Sequence, residues 1–396
     1  MNAILVTHPA HFVRGSDGRV YAPDTFLGAG FWARYLTVFD RVDVLTRVQS
    51  VEGIPPEAAG ADGERVRFHD LPDYVGPGQY LRCRGTLKSG IDHAIEGYAA
   101  YCLRAPCPIA DLTWRALRRR GLPFGVEVTG DPWDSLAAGT VRSLARPLAR
   151  RVLVRTLRAQ CREAIAVSYV TGRILQGRYP ANPGAYTTHY SSIELPTEAL
   201  IEAPREDFEN AQRLIFVGSL AVRYKGVDVL IDALARLGRP ALTLEVVGDG
   251  RTRPELEAQV VRLGLTKQVT FHGRLPAGEP IRKLLDQAHV FVLPSRAEGL
   301  PRALIEAMAR GLPCIGSDVG AIGELLPSED RVPPGDAAML AQKIQQVLGS
   351  AERLKSAGQR NWQRSRDYLS DVLGARRTRF YEQLRRLSAP SEGGTA

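Results

Sequence analysis

Two glutamates stand eight residues apart in the stretch EGLPRALIE. Glu298 precedes a Gly-Leu-Pro turn, and Glu306 falls inside the helix that Pro301 can start, since proline suits the first helical position. The sequence predicts this helix over residues 301–310. A helix N-terminus offers free N–H groups and partial positive charge, which suit a phosphate. A nucleoside diphosphate sugar, with phosphates between two sets of hydroxyls, would use both carboxylates.

Basic side chains follow another predicted strand. In FVGSLAVRYKGVDVLIDAL, Arg223 and Lys225 fall in the turn between a strand and a helix. Lys225 can offset the charge that develops on a departing diphosphate. Taken alone, Lys225 can equally be a solvated surface lysine, and Glu298 a charge that favours the helix dipole. Together they favour a phosphate-containing ligand.

The second half of the chain alternates short apolar runs with amphipathic patterns. The predicted strands are RLIFVG, LTLEVVG, VTFHG, VFVLP and PCIGSD. Buried strands that alternate with helices are typical of a doubly wound α/β domain with a parallel sheet. Ligands bind outside the carboxyl ends of the strands in such domains. The turns that carry Lys225 and Glu298 lie at that edge.

The first half repeats this α/β plan, with predicted strands AILVTH, VDVLTRV, AAYCLRA, FGVEVTG and AIAVSYV. The polar stretch LIEAPREDFENAQR separates the halves. We therefore predict one domain over residues 1–205, a second over 206–370, a helix over 371–388 and a disordered tail over 389–396.

The composition is that of a globular chain of two or three domains, with 396 residues, 44% hydrophobic and 24% charged. No apolar run approaches the roughly 18 residues that span a bilayer, and the N-terminus MNAILVTHPAHF lacks the pattern of a signal peptide. The five cysteines form no C-x-x-C or metal spacing, which is typical of a cytoplasmic protein. The net charge of +9 favours an anionic partner.

A basic segment, RSLARPLARRVLVRTLRAQCRE, contains seven arginines and one acid at its end. Leu144, Leu148 and Val152 recur at a four-residue step, so apolar and basic faces can separate on a helix. Residues 142–162 can therefore bind an anionic membrane, which would place the protein peripherally on the inner face of the plasma membrane. Solvated helix faces carry similar charge. We predict no nucleic acid partner, because no recognised module or aromatic platform accompanies the arginines.

The turns of the first half hold further polar candidates. GAGFWA matches G-x-G-x-x-A, but about twenty residues separate it from the first strand, so a glycine-rich helix start is a better interpretation than a dinucleotide site. In VEVTGDPWDSL, the first aspartate can orient an acceptor hydroxyl and the tryptophan can stack on a sugar, although an Asp-Pro turn with a half-buried Trp is an equal alternative. The candidates on this side are Asp131, Trp133, Asp134, Gly28, Gly30 and His8.

The order VGSL…YKGVDVLI, VVGDG, FHGRL and PSRAEGLPRALIEAMARGLPCIGSDVGAIGEL, over about residues 212–326, resembles retaining glycosyltransferase family 4 of the GT-B fold. The resemblance implies two Rossmann-like domains that face each other across a cleft. The first would bind an acceptor and the second a nucleotide-sugar donor, and the C-terminal helix would cross back to the first domain. It implies that Glu298 contacts donor-sugar hydroxyls, Glu306 the ribose, and Lys225 the diphosphate. It also implies that the amides of Gly299 and Leu300 hold the sugar or phosphate and that the turn at Gly273 and Arg274 borders the base. The remaining candidate donor-binding residues are Pro301, Gly218, Ser219 and Arg223.

The chain departs from the family pattern at one point. Many relatives have arginine directly after the strand-ending glycine, where this chain has Ser219, and the turn is one residue longer. Arg223 is a candidate to supply the lost charge. No D-x-D motif occurs, which agrees with a metal-independent reaction in which Lys225 and the helix end stabilise the diphosphate.

The resemblance implies retaining transfer of a hexose to a hydroxyl, and the residues that we expect to catalyse it, without metal or cofactor, are Glu298, Lys225 and Asp131. By its frequency in the family, UDP is the expected nucleotide and GDP its main competitor. The expected acceptor is a glycan or polyprenyl-diphosphate-linked oligosaccharide of a bacterial surface polysaccharide. The alternatives are a soluble small-molecule acceptor, a non-catalytic nucleotide-sugar-binding subunit, which Ser219 favours, and a dinucleotide-dependent oxidoreductase.

Overall fold

The computed structural model describes residues 2–23, 27–55, 58–136, 146–208 and 210–389. Contacts divide the chain into two compact units. With the same gaps, the first unit holds residues 2–132, 147–190 and 374–389, and the second holds residues 133–136, 146 and 191–373. Residues 142–145 of the predicted basic helix and 390–396 of the predicted tail lie outside the described residues.

A sheet of nine strands, counted over the described residues, forms the centre of the first unit. Its strands are β1 (Ala3–Arg14), β2 (Val20–Ala22), β3 (Arg41–Ser50), β4 (Ala59–Gly60), β5 (Val66–Leu71), β6 (Ala100–Ala105), β7 (Gly125–Val128), β8 (Ala166–Tyr169) and β9 (Tyr186–His189). The parallel order is β5-β3-β1-β6-β7-β8-β9, and β2 and β4 extend the far end of β1 in antiparallel pairs. The central strands are buried apolar runs because helices cover the sheet.

The second unit is built on a parallel sheet with the order β12-β11-β10-β13-β14-β15. These strands are β10 (Arg213–Val217), β11 (Thr243–Val247), β12 (Val269–Gly273), β13 (Val290–Leu293), β14 (Cys314–Ser317) and β15 (Arg331–Val332). The chain builds outward from β10 to β12, then crosses to the other side of β10 for β13. The strand order therefore reverses between β10 and β13, and ligands bind outside the carboxyl ends at such a switch point.

Helices connect the strands of both units. They are α1 (Ala29–Leu36), α2 (Gly76–Ala94), α3 (Pro108–Arg119), α4 (Pro132–Ser135), α5 (Arg146–Glu163), α6 (Ile174–Arg178), α7 (Val227–Leu237), α8 (Arg253–Arg262), α9 (Glu279–Gln287), α10 (Arg302–Ala309), α11 (Ile322–Leu325), α12 (Ala337–Leu348), α13 (Ala351–Ser365) and α14 (Ser370–Ser388). The helix predicted over residues 301–310 is α10. The predicted α/β fold with parallel sheets is confirmed.

Helices α2, α3 and α5 form one layer on the sheet of the first unit. Buried residues of all three belong to a single hydrophobic cluster. Polar contacts join α3 to both neighbours: Gln160 Nε2 donates to Asp111 Oδ1 at 2.8 Å, and Arg119 Nη2 donates to Asp92 Oδ1 at 3.0 Å. The crossovers β5–β6, β6–β7 and β7–β8 run in the same direction, so their right-handedness places these helices on the same face.

Candidate functional site

The carboxyl ends of β10 and β13 bring Lys225 and Glu298 into direct contact. Lys225 closes a 3-10 turn, Arg223–Lys225, that follows β10, and Glu298 lies in the loop between β13 and α10. Lys225 Nζ donates to Glu298 Oε1 at 2.6 Å, and their side chains are 16% and 6% exposed. Because 73 positions separate the two residues along the chain, the tertiary fold forms this ion pair. The pair stands at the switch point of the sheet.

Glu298 keeps hydrogen-bonding capacity beyond this pair. Ser295 Oγ donates to Glu298 Oε1 at 2.6 Å, so one carboxylate oxygen accepts both the hydroxyl and the ammonium. Across the described part of the chain, no hydrogen bond reaches Glu298 Oε2. Lys225 has three N–H donors, of which Glu298 takes one. Both side chains can therefore bind a further group without giving up their mutual contact.

Two glycines allow neighbouring loops to approach this pair. Gly226 has a φ of +72°, and a Cβ on it would lie 2.0 Å from Pro294 O. Gly320 has a φ of +50°, and a Cβ on it would lie 1.8 Å from Glu298 O. Any larger residue at either position would force apart the loops that carry the ion pair, because only glycine adopts these angles without strain and leaves the space.

Arg296 joins the same two loops through both its side chain and its backbone. Its Nη1 and Nη2 donate to the two carboxylate oxygens of Asp228, each at 2.8 Å, and Nη1 also donates to Arg223 O at 2.9 Å. Its backbone N donates to Tyr224 O at 2.6 Å. The hydrogen bond to Asp228 raises the pKa of Arg296. These contacts fasten the turn after β10 to the loop after β13, and sequence reasoning missed them.

Glu306 occupies a different part of the site. α10 starts at Arg302, and Pro301 before it makes no side-chain cap, so the first N–H groups of the helix keep their capacity to donate. Glu306 lies four residues into α10, about 6 Å along its axis. It is half-buried, and burial raises its pKa while Arg302 and Arg282 act in the opposite direction. Within the described residues it makes no hydrogen bond to Glu298.

The other residues predicted to bind a donor follow the same strand ends. They are Gly218 and Ser219 after β10, Gly273 and Arg274 at the end of β12, and Gly299, Leu300 and Pro301 before α10. Ser219 is exposed, and its Oγ accepts from Ala221 N at 3.2 Å. Gly299 and Arg274 are also exposed. The residues thus share one edge of the sheet.

Arg223 forms an ion pair with Glu255 of α8. Its Nε donates to Glu255 Oε2 at 3.0 Å, which forms an ion pair with the first turn of α8. This guanidinium is more than half exposed, and its ion-pair partner is Glu255 rather than the carboxylate of Glu298. The hypothesis that Arg223 replaces the arginine absent at Ser219 stays a prediction.

In the first unit, His8 is buried within β1. The rings of Phe12, Phe31 and Trp32 lie around its imidazole, with centroids 5.6 to 5.9 Å away. Ala10 N donates to its Nδ1 at 3.2 Å. Burial, aided by nearby arginines, lowers the pKa of His8, so the imidazole is neutral. Its contacts place it against α1, whose start holds two predicted residues, Gly28 and Gly30.

Asp131 follows β7 and is buried with both carboxylate oxygens engaged. Tyr179 Oη donates to Oδ1 at 2.5 Å, and Arg178 forms an ion pair with Oδ2. The carboxylate thereby ties the end of β7 to the end of α6. Its predicted part in orienting an acceptor stays a prediction. Trp133 and Asp134 lie in α4, where the indole is exposed.

A buried carboxylate that sequence reasoning missed stands at the centre of the first unit. Glu127 of β7 accepts from Tyr190 Oη at 2.7 Å, Tyr381 Oη at 2.9 Å and Tyr35 Oη at 3.0 Å, and it pairs with Arg104. Burial alone would raise the pKa of Glu127, but Arg104 and the three phenols outweigh it and lower the pKa. Because Tyr381 belongs to α14, this cluster fixes the C-terminal helix to the sheet of the first unit.

Neither a metal-binding cluster nor a membrane-spanning helix occurs among the described residues. No group of three or more His, Cys, Asp or Glu side chains there is arranged to hold a metal ion. No helix in that part of the chain is long and apolar enough to cross a membrane. Neither result tests the predicted metal independence.

Comparison with known proteins gives a family match over part of the chain. Residues 211–350 match the family model described as "Glycosyl transferases group 1". The chain is 24% identical to Protein CapJ of Staphylococcus aureus over 342 residues, which are 83% of this chain and 84% of that protein.

Solved structures share the fold over nearly the whole chain. Sucrose-phosphate synthase from Thermosynechococcus elongatus aligns with a TM-score of 0.71 and 20% identity, over 98% of this chain and 100% of that one. HepE from Anabaena, solved in complex with UDP-glucose, aligns with a TM-score of 0.64 and 17% identity, over 96% of this chain and 99% of that one.

The fold likeness confirms the predicted fold class. The matched residues contain the stretch 212–326 that resembles a glycosyltransferase, and the fold class is α/β of the GT-B type. The site that follows β10 and β13 lies inside the matched residues.

Proposed function

We propose that the chain is a retaining glycosyltransferase that moves a hexose from a nucleotide sugar to an acceptor hydroxyl. The observation that carries this proposal is the Lys225–Glu298 ion pair at the switch point of the second sheet. Its 2.6 Å contact uses one oxygen of Glu298 and one N–H of Lys225. One carboxylate oxygen and two ammonium donors therefore serve the substrate, next to a helix N-terminus that suits a phosphate.

Each residue has a part in the proposed reaction. Glu298 Oε2 accepts a hydrogen bond from a hydroxyl of the donor sugar. Lys225 and the first N–H groups of α10 stabilise the negative charge that grows on the diphosphate as the glycosidic bond breaks. Glu306 accepts from the ribose hydroxyls, and Gly299 and Leu300 supply backbone contacts to the sugar or phosphate.

The acceptor is activated without a protein nucleophile in this proposal. The leaving phosphate takes the proton of the acceptor hydroxyl on the same face of the sugar, so the anomeric configuration is retained. No metal is required, because Lys225 and the helix end neutralise the diphosphate. We propose UDP as the nucleotide and GDP as its competitor, and the UDP-glucose complex of HepE supports that order.

We propose a glycan or polyprenyl-diphosphate-linked oligosaccharide of a surface polysaccharide as the acceptor, with Asp131 and His8 of the first unit and Trp133 of α4 as candidate contacts. A soluble small-molecule acceptor is the second candidate. The likeness to sucrose-phosphate synthase, whose product is a small sugar phosphate by its name, favours it. Transfer of the hexose that requires neither lipid nor a membrane fraction would support the soluble small-molecule acceptor.

The donor site is tested by calorimetry with UDP, GDP, ADP and NAD, without added metal and then with EDTA. We expect UDP to bind the full chain in EDTA and Glu306→Gln to bind it about tenfold more weakly, as expected for one lost charge-assisted contact. Glu352→Gln is the matched control, since Glu352 is an exposed glutamate in the first turn of α13. Equal affinity in wild type and Glu306→Gln contradicts the assigned role, and binding of NAD alone would favour the oxidoreductase.

Turnover separates an enzyme from a non-catalytic binding subunit. We expect slow release of UDP from UDP-hexose in water, and faster release with an acceptor extract. The product linkage, read from the anomeric coupling constant in NMR, should match the configuration of the donor. If the chain binds UDP tightly but releases no UDP from UDP-hexose with any acceptor tested, it is a non-catalytic binding subunit. A product of inverted anomeric configuration would overturn the retaining mechanism.

A further inference from the structure

A groove in the first unit opens between strand β9 and helix α14. Over the described residues β9 is the last strand of its sheet and pairs with β8 alone, so no strand covers its outer side. The groove has a volume of about 660 Å³, which lies within the range of roughly 300–1,000 Å³ found for small-molecule sites. Among the residues that line this β9/α14 groove are Tyr186, Thr188 and His189 of β9 and Arg376, Thr378 and Arg379 of α14.

Strand register and helix spacing bring these side chains together. Thr188 lies in the same cross-strand row as Glu127, so both side chains are on one face of the sheet. Tyr381 of α14 donates to Glu127, and this bond shows that α14 covers that face. Arg376 and Arg379 are three residues apart and therefore lie on the same side of the helix. The groove thus combines one face of an edge strand with one side of α14.

The groove carries positive charge that no carboxylate neutralises. In the described part of the chain, no ion pair involves Arg376, Arg379 or Glu382, which also lines the groove. Arg376 Nη1 donates to His189 Nε2 at 3.1 Å, and an imidazole nitrogen that accepts this bond supplies no negative charge. Guanidinium groups bind phosphate and carboxylate oxygens in a two-pronged geometry. Two of them beside a small groove favour an anionic ligand.

The rest of the lining is rich in hydroxyl groups. Tyr186, Thr188 and Thr378 each bring a hydroxyl that can donate and accept, and within the described residues none of the three takes part in a hydrogen bond. No aliphatic side chain larger than that of Ala375 lines the described groove. Such a lining offers little to an acyl chain or an apolar peptide. It suits a ligand that itself carries several hydroxyls.

We propose that the β9/α14 groove binds an anionic sugar, which is a saccharide that carries a phosphate or a carboxylate. Arg376 and Arg379 bind the oxyanion, and the three hydroxyl side chains and the carboxylate of Glu382 bind hydroxyls of the ring. An acidic peptide added to the edge of the sheet fits less well. β9 has four residues, fewer than the average strand of about five to six, so a peptide would gain few backbone bonds.

The groove is separate from the proposed donor site, because its residues belong to the first unit and Lys225 and Glu298 belong to the second. The inference does not rest on the proposed transferase activity, since binding is measured without turnover. The experiment is calorimetry of the full chain with glucose 6-phosphate, glucuronate, glucose and inorganic phosphate. We expect at least one of the two anionic sugars to bind about tenfold more tightly than glucose or phosphate, because only it uses both the arginines and the hydroxyls.

Three variants test the groove. Arg376→Gln and Arg379→Gln should each weaken binding of the anionic sugar about tenfold, as expected for one lost charge-assisted contact. Thr188→Val keeps the shape of the side chain and removes its hydroxyl, and should weaken binding about fivefold. An unchanged melting temperature shows that each variant is folded. Arg379 is exposed, so Arg379→Gln tests the groove even if Arg376→Gln fails to fold.

Two control variants separate the groove from other causes. Arg236→Gln removes the same charge from an exposed position in the last turn of α7 and should leave binding unchanged. Lys225→Met removes the ammonium of the proposed donor site and should also bind the anionic sugar as the wild type does. Loss of UDP affinity in Lys225→Met with retained sugar affinity would show two independent sites.

Binding of glucose 6-phosphate or of glucuronate that weakens in all three groove variants and in neither control supports the proposal, and the better ligand shows whether the natural group is a phosphate or a carboxylate. No binding of either sugar, or equal binding of glucose, would overturn it. Equal affinity for inorganic phosphate would overturn the assignment to a sugar. Loss of binding in Lys225→Met with none in Arg379→Gln would place the sugar in the donor site, and binding of an acidic peptide alone would show a docking edge; both would overturn the proposal.

Discussion

Replacing Lys225 by methionine isolates the energetic role of the ion pair at the switch point. Methionine keeps most of the side-chain volume and removes the ammonium, so Glu298 retains only the hydrogen bond from Ser295. With Lys225 and Glu298 only 16% and 6% exposed, an unpaired carboxylate cannot recover full hydration. Breaking a buried pair costs about 3–5 kcal/mol. Because the pair lies in surface loops, we expect about 3 kcal/mol, the lower end.

A double-mutant cycle separates this structural effect from catalysis. Glu298→Gln removes the negative charge, and the double variant Lys225→Met/Glu298→Gln removes both charges. We expect the double variant to lose about 2 kcal/mol less stability than the sum of the single losses. Turnover should behave differently: each single variant should lose at least about a hundredfold in kcat, and the double variant should recover none of it. Urea unfolding and release of UDP measure the two quantities.

The matched control is the pair Lys283–Glu279 of α9, whose side chains are about two-thirds exposed and 2.8 Å apart. Because solvent screens both charges, the stability losses in its cycle should be close to additive, and kcat should not change. Additive stability losses in the Lys225–Glu298 cycle would show that the two side chains do not stabilise each other, and would refute the energetic role of the ion pair. Recovery of turnover in the double variant would show that the two residues act only on stability, and would refute their catalytic assignment.

Four further variants probe the contacts around this site and the core of the first unit. Arg296→Gln removes the two bonds to Asp228 and the bond to Arg223 O, and should lower kcat/KM for the donor about tenfold, measured by UDP release well below the melting temperature of both proteins. Burial raises the pKa of Glu306, so the folded chain binds the extra proton above about pH 4. The stability of wild type relative to Glu306→Gln should therefore fall as pH rises through the folded pKa, which urea midpoints across pH measure; a flat difference contradicts it. Glu127→Gln leaves buried Arg104 without its ion-pair partner and should lower the free energy of unfolding by about 3–5 kcal/mol. Tyr381→Phe should lower it by about 1 kcal/mol, and urea unfolding measures both losses.

The sequence was a good guide to the second unit because its signals are local. Strand and helix periods alternate there, and a proline before α10 fixes where that helix begins. The carboxyl edge of a parallel sheet then gathers the turns without any knowledge of side-chain positions. That is why Lys225, Glu298 and Gly218 were predicted on the same edge from a stretch of sequence alone.

Pairings between distant residues could not be predicted in this way. The Arg296–Asp228 contact joins positions 68 apart, and no local pattern marks either residue. Arg223 was a candidate to replace a missing charge, yet its guanidinium pairs with Glu255, because α8 happens to start beside it. Which charged residues pair depends on how loops pack against neighbouring helices, and neither composition nor periodicity predicts that packing.

Hydrogen-bond accounting distinguishes the carboxylates of the two units. Glu127 accepts from three phenols and Arg104, so it is a structural anchor whose acceptor capacity is largely spent, and Asp131 already has a donor on each oxygen. Glu298 concentrates its two donors on Oε1. A carboxylate that is both held in place and partly unsatisfied is preorganised for a hydroxyl ligand, because binding requires neither a change of side-chain position nor the loss of an internal bond. This asymmetry, more than the identity of the residue, makes Glu298 the best candidate in the chain for contact with the sugar.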